Sequence, residues 1–174
     1  MSARLLTLLA SAATMTMAGA FTIDFNNSMV SDGTTPSSFS FDPVDGTTSQ
    51  TVTVPGYGDV RFEVGPTSGH VLQVGTAFSN DSGTITQSLE LGATETVVVT
   101  FLGPTALNVD FDIIGIDAGE NSSVAALLPN EFQYGPPNGN GAGIASISFE
   151  AVPEPSSSLL VILGAGSMLL RRRR

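Results

Sequence analysis

Residues 96–102 read Thr-Val-Val-Val-Thr-Phe-Leu. Every residue but the last is β-branched or aromatic, the types that fit a pleated, half-buried surface. In an extended chain successive side chains point to opposite faces, so Val97, Val99 and Phe101 share one side. The stretch predicts a β-strand with that side in a core. The same period of two recurs on both sides of it. Upstream it appears at Phe21, Ile23 and Phe25, at Phe39 and Phe41, at Val52 and Val54, and at Val60, Phe62 and Val64. Val71, Leu72 and Val74 form a short apolar run, and Ile85, Leu89 and Leu91 share one parity. Downstream come Val109, Phe111 and Ile113, then Ala145, Ile147, Phe149 and Ala151. Alternation of this kind marks half-buried strands rather than helices.

The gaps between these runs hold residues that break strands. They are Asp32-Gly33, Asp45-Gly46, Pro55-Gly56, Asn80-Asp81-Ser82-Gly83, Gly103-Pro104 and Asn138-Gly139-Asn140-Gly141. Glycine reaches positive φ and proline pre-sets the first turn angle. Residues 122–128 fit either a strand or a single helical turn. The pattern predicts eight or nine short strands in residues 21–151. The expected fold class is all-β, a single antiparallel β-sandwich or jelly-roll-like domain, with an up-and-down barrel as the alternative.

Both ends depart from that pattern. Arg4 precedes an apolar stretch containing Leu5, Leu6, Leu8 and Leu9, and Ala18-Gly19-Ala20 follows. A positive start, an apolar middle and small residues at the end predict a secretory signal peptide over residues 1–20. Cleavage is expected before Phe21, directed by Ala18 and Ala20. Residues 152–174 read VPEPSSSLLVILGAGSMLLRRRR. Fifteen uncharged residues separate Pro155 from Arg171, a helix of about 22 Å at 1.5 Å per residue. A bilayer core is about 30 Å thick, so the span is short. Snorkelling arginines and local thinning close the difference. Pro153 and Pro155 set an extended entry to the helix. Arg171, Arg172, Arg173 and Arg174 are expected to stay cytoplasmic by the positive-inside rule.

This tail resembles the PEP-CTERM sorting signal of exported Gram-negative bacterial proteins. Val152, Pro153, Glu154, Pro155, Ser156 and the four terminal arginines match its motif, helix and basic stop in order. The resemblance covers only these last residues. It implies recognition and cleavage by an exosortase, a membrane-embedded transpeptidase-like enzyme, and an association with exopolysaccharide, biofilm or floc. The expected domains are therefore signal peptide 1–20, acidic β domain 21–151 and sorting signal 152–174. The expected route is export, anchoring in the inner membrane by the C-terminal helix, then the cell surface or matrix.

Composition narrows the partners. Residues 21–150 carry fifteen acidic side chains against one base, Arg61, a net charge of −14. Such a body repels nucleic acid and anionic lipid. There is no cysteine, so neither disulfides nor thiolate chemistry arise. His70 is the only histidine and no G-x-S-x-G is present, which argues against a transition-metal site or a catalytic triad.

Four features remain as candidate chemistry. Asp110 and Asp112 point to one face of a strand, with Asp117 and Glu120 beyond them, an oxygen set of the kind calcium takes. A solvated acidic face is the plainer reading. Asp24 and Glu150 lie on terminal strands that can pair, and a glycosidase needs two carboxylates about 5 to 9.5 Å apart. Tyr57 and Tyr134 adjoin glycine or proline and are candidates for stacking on sugar rings, or for ordinary packing. Asn26, Asn80 and Asn121 open N-x-S/T triplets, read as turn chemistry. The expected function is an exported surface or matrix protein without catalytic activity or cofactor. The alternative is a carbohydrate-binding module that holds extracellular polysaccharide.

Overall fold

A computed structural model describes residues 19–40, 48–65, 72–76, 85, 87–116, 122–135 and 141–152. These form twelve strands and no helix. In chain order they are β1 (Ala20–Asp24), β2 (Met29–Ser31), β3 (Ser37–Ser38), β4 (Ser49–Val54), β5 (Gly58–Val64) and β6 (Val74–Gly75), then β7 (Ser88–Leu91), β8 (Val97–Phe101), β9 (Ala106–Ile114), β10 (Val124–Leu128), β11 (Glu131–Tyr134) and β12 (Ala142–Ala151). All pairings are antiparallel. The fold is all-β, built of antiparallel sheets, as the alternation predicts.

One sheet runs β10-β11-β8-β5-β4. The other is built on β12, the longest strand. Along one edge β12 meets β1 through residues 146–150 and β7 through residues 142–144; β9 takes the opposite edge. The first and last strands are thus neighbours, with Phe21 opposite Phe149 and Ile23 opposite Ile147. β2 and β3 extend the sheet beyond β1, and β6 extends it beyond β7.

The period of two decides which side chains enter the core. In β8, Val97, Val99 and Phe101 are buried while Val98 and Thr100 are half-buried. Val60 and Phe62 of β5 stand opposite Phe101 and Val99 in register, and both are fully buried. In β12, Ile147, Phe149 and Ala151 are buried, Ser146 and Glu150 half-buried and Ser148 exposed. Side chains of the two sheets meet in one apolar cluster. Phe149 and Phe21 of one sheet contact Tyr57, beside β5, at ring-centroid distances of 4.7 and 5.4 Å. Phe101 of β8 lies 4.7 Å from Phe149. Phe25 meets Phe62 edge-on at 5.6 Å, and Phe111 meets Phe132 at 6.1 Å.

The β4–β5 turn follows from its sequence. Pro55 and Gly56 take the two central positions, Gly56 at φ 75°, and the Tyr57 N–H donates to the Val54 carbonyl at 3.1 Å. Proline first and a positive-φ glycine second is the type II pattern. Gly103 is required for a different reason. A Cβ there would sit 2.6 Å from the Tyr57 carbonyl oxygen and 3.0 Å from its ring. Backbone cannot yield as a flexible side chain can, so Gly103→Ala is expected to destabilise by about 1–3 kcal/mol, the usual range for overpacking. A urea midpoint lowered at constant slope checks this.

Several expectations need correction. The described residues alone form twelve strands rather than eight or nine. The strand near Phe39 is Ser37–Ser38 and stops before it; Phe39 is half-buried against Phe25, and Phe41 lies outside the described residues. Ile85 lies ahead of β7 rather than within it. Residues 122–128, which fit either a strand or a helical turn by sequence, hold the strand β10. β2 was not anticipated, because three residues are too few to show a repeat; β11 was not anticipated either, although Phe132 and Tyr134 share one parity in Glu-Phe-Gln-Tyr.

Candidate functional site

The outward face of the β12 sheet collects the polar residues of three adjacent strands. The register sets Asp24, Ser146 and Asp112 in one row and Thr22, Ser148 and Asp110 in the next. Asp110 and Asp112 are both exposed on β9, on one face as their spacing predicts, while Val109, Phe111 and Ile113 turn half-buried toward the core. A shallow hollow of about 180 Å³ opens at the first row. Thr22, Asp24, Asn26, Ile85, Asp112, Ala145 and Ser146 line it, where β1 gives way to β7 along the edge of β12. The Asn26 side-chain oxygen accepts from the Gln87 N–H at 3.2 Å and ties the two strands together there. Asn26 lies in the turn after β1, and this bond reaches Gln87 rather than the backbone of that turn.

The hollow brings two carboxylates near one another, and one is already engaged. Asp24 Oδ1 accepts from the Asn27 N–H at 3.1 Å and Oδ2 from the Asn27 side-chain amide at 2.7 Å. Among the described residues no three acidic or histidine side chains converge as a metal would require. Asp117, Glu120 and His70 lie outside the described residues, as do Asn80 and Asn121.

β1 and β12 pair as Asp24 and Glu150 suggested, but their register separates the two acids. Asp24 stands opposite Ser146 and Glu150 opposite Ala20. Four residues along a strand amount to about 14 Å at about 3.4 Å each, more than the separation of about 5 to 9.5 Å that a glycosidase pair uses. Glu150 instead accepts from the Asn108 side chain at 2.9 Å. Asn108 has φ 51° and lies where the β9–β12 register shifts.

The two tyrosines are not surface aromatics. Tyr57 is 6% exposed and Tyr134 is fully buried. The Tyr57 hydroxyl donates to the Pro104 carbonyl at 2.8 Å, and its ring packs between Phe21, Phe101 and Phe149. Neither ring has a face for a sugar, which overturns the stacking role considered for them. Tyrosine at a strand end, next to glycine, can pack inward because glycine leaves room, and sequence alone does not separate that from a loop display.

Burial pushes the Tyr57 phenol up to about 12. It raises that of Tyr134 too, with the Ser122 side chain offsetting part of the rise. Both groups fold as neutral phenols. A pKa raised above its unfolded value near 10 means stability present below pH 10 and lost as pH rises toward 12. Ultraviolet titration of phenolate is expected to show Tyr57 ionising near pH 12 in the folded chain, together with a falling melting temperature above pH 10. Asp32 shows the opposite shift. Hydrogen bonds from the Thr35 N–H, the Thr34 hydroxyl and the Thr34 N–H hold its carboxyl down at about 2. That carboxylate organises the turn after β2, with Gly33 at φ 83° inside it.

The processing residues fall mostly beyond what is described. Val152 is the last described residue; its N–H donates to the Thr105 carbonyl at 3.0 Å. Pro153, Glu154, Pro155, Ser156 and the four terminal arginines lie outside, as does Ala18. Ala20 opens β1 opposite Glu150. Among the described residues no helix is long and apolar enough to cross a membrane. A scan of protein-family models matched none, and searches of curated proteins and of solved structures returned no relative.

Proposed function

We propose that the chain is an exported, non-enzymatic protein of the bacterial cell surface or extracellular matrix, delivered by a cleaved N-terminal leader and a C-terminal sorting signal. The observation that carries this is the ordered array in residues 152–174: the Val-Pro-Glu-Pro-Ser motif, an apolar run and four arginines. An exosortase-like enzyme is the partner that resemblance implies, with signal peptidase acting at Ala20. The strand pattern and the shared apolar core support the finer fold reading, a β-sandwich of jelly-roll type. The polar outer face supports a structural or adhesive role, because it offers rows of hydroxyls and carboxylates for contact. The link to exopolysaccharide and biofilm rests on the resemblance alone.

Mass spectrometry of the C-terminus recovered from the native host tests this reading. The expected result is loss of everything after the Pro153-Glu154-Pro155 region. A chain recovered from the inner membrane and still ending in Arg174 would overturn the sorting reading and leave a permanently anchored protein.

A further inference from the structure

Seven large apolar side chains are exposed among the described residues, and five of them, Leu102, Leu107, Leu127, Leu128 and Val152, lie at one end of the body. Single exposed leucines are ordinary on protein surfaces; a gathered set calls for an explanation. A hydrogen-bond net centred on Asn130 ties together the segments that carry four of these, and Val152 joins through Thr105. The Asn130 carbonyl accepts from the Phe101 N–H at 2.8 Å, and its side-chain oxygen accepts from the Ala106 N–H at 2.8 Å. Its side-chain amide donates to the Pro104 carbonyl at 3.3 Å. Leu102 follows Phe101, Leu107 follows Ala106, Leu127 and Leu128 lead into the Asn130 turn, and Val152 is tied to Thr105.

Both flanks of the chain leave from this same end. The Ala151 N–H donates to the Gly19 carbonyl at 3.3 Å, so the first described residue lies beside the next-to-last. From Val152 only six residues, 153–158, precede the apolar run 159–170. Fully extended they reach about 20 Å. The other two exposed apolar side chains, Ile116 and Val124, sit at the opposite end, where β9 ends and β10 begins.

We infer that this leucine-rich end is a bilayer-facing surface, seated on the headgroup region of zwitterionic lipid while the chain is anchored. The inference rests on reading residues 159–170 as a membrane helix. A linker of six residues reaches at most about 20 Å, so a membrane helix beginning at Leu159 keeps this end of the body near the membrane surface, and the side chains displayed there are ones that lipid accepts. Asp59, Glu131 and Glu150 rim the same end, so anionic lipid should weaken the seating and neutral headgroups should favour it.

The absence of cysteine makes the test clean. Single cysteines are placed at Leu107 and Leu128, and for comparison at Ile116 and Ser123 of the other end. The full chain is produced in an exporting bacterium, labelled with an environment-sensitive dye and reconstituted in phosphatidylcholine vesicles carrying a shallow lipid-bound quencher. At least threefold stronger quenching at Leu107→Cys and Leu128→Cys is expected, falling when phosphatidylglycerol is added. Equal, weak quenching at both ends of a chain that floats with the vesicles would overturn the inference and leave the membrane helix standing. A chain that fails to float with the vesicles would overturn both.

Discussion

Replacing Phe149 by alanine is expected to lower the stability of the body by about 3–5 kcal/mol, the usual cost of deleting a buried aromatic ring. Phe149 is the ring on which both sheets converge. It stacks on Phe21 of the neighbouring strand at 5.3 Å, and Tyr57 and Phe101 meet it edge-on from the opposite sheet, each at 4.7 Å. Truncation leaves a cavity between the sheets and removes three ring contacts, each worth about 0.5–1.5 kcal/mol beyond burial. Domains of this size are stable by only about 5–15 kcal/mol. The melting temperature should therefore fall by roughly 10–20 °C. Leu128→Ala is the matched control. Leu128 is 61% exposed at the tip of β10, and its loss should stay within about 0.5 kcal/mol. Chemical denaturation of the two variants side by side checks the contrast, and equal effects would mean that the core is not where the rings place it.

The same ring shows how far the sequence could be read. Alternation around Phe149, Phe101 and Phe62 was visible because those strands are half-buried, and half-burial imposes a period of two. β10 was not, for the opposite physical reason. Val124, Ala125, Ala126, Leu127 and Leu128 are all exposed at a sheet edge, so no burial imposed a pattern and strand and helical turn stayed equally good readings. β2 and β3 are held by their neighbours' hydrogen bonds over three and two residues, lengths at which local composition says little. Phe39 misled because an aromatic in an alternating pair packs equally well from a loop that passes over the core, as its edge-on contact with Phe25 does.

The candidate site divides along similar lines. The shared face of Asp110 and Asp112 follows from their spacing alone. Their neighbourhood does not. Only the register across β12 brings Asp24 into the row of Asp112 and sends Glu150 four residues away. Pairing of the terminal strands was foreseeable from their matched alternation, whereas the offset depends on which residues the core selects, since a slip of one residue would expose Ile23 and Ile147. Tyr57 and Tyr134 were ambiguous until burial was known. The leucine end could not be read at all, because Leu128 is more than twenty residues from Leu102 and Leu107 in sequence and their segments are joined only by the Asn130 bonds.

A chain stopped after Val152 should leave the membrane fraction entirely and keep its fold. The apolar run beyond it holds Leu159, Leu160, Val161, Ile162, Leu163, Met168, Leu169 and Leu170. At about −0.3 to −0.6 kcal/mol per large aliphatic residue near a helix centre, these contribute roughly −2 to −5 kcal/mol to insertion. The exposed leucines at the exit end are few, and an acidic body gains nothing from lipid charge, so without the helix the remaining affinity is that of a weak, reversible contact. The fold has no such dependence. Gly19–Val152 is a compact unit by itself, and among the described residues it holds the apolar core and each strand pairing from β1 to β12. The Val152 N–H still meets Thr105 in the shortened chain. Fractionation of cells after leader removal should move the protein wholly from membrane to soluble pools. Its thermal midpoint should match that of the full chain within about 2 °C, the scale of a surface substitution. A shortened chain that stays with the membrane would transfer the anchor to the body itself. One that leaves the membrane but melts far lower would make the tail part of the fold rather than its address.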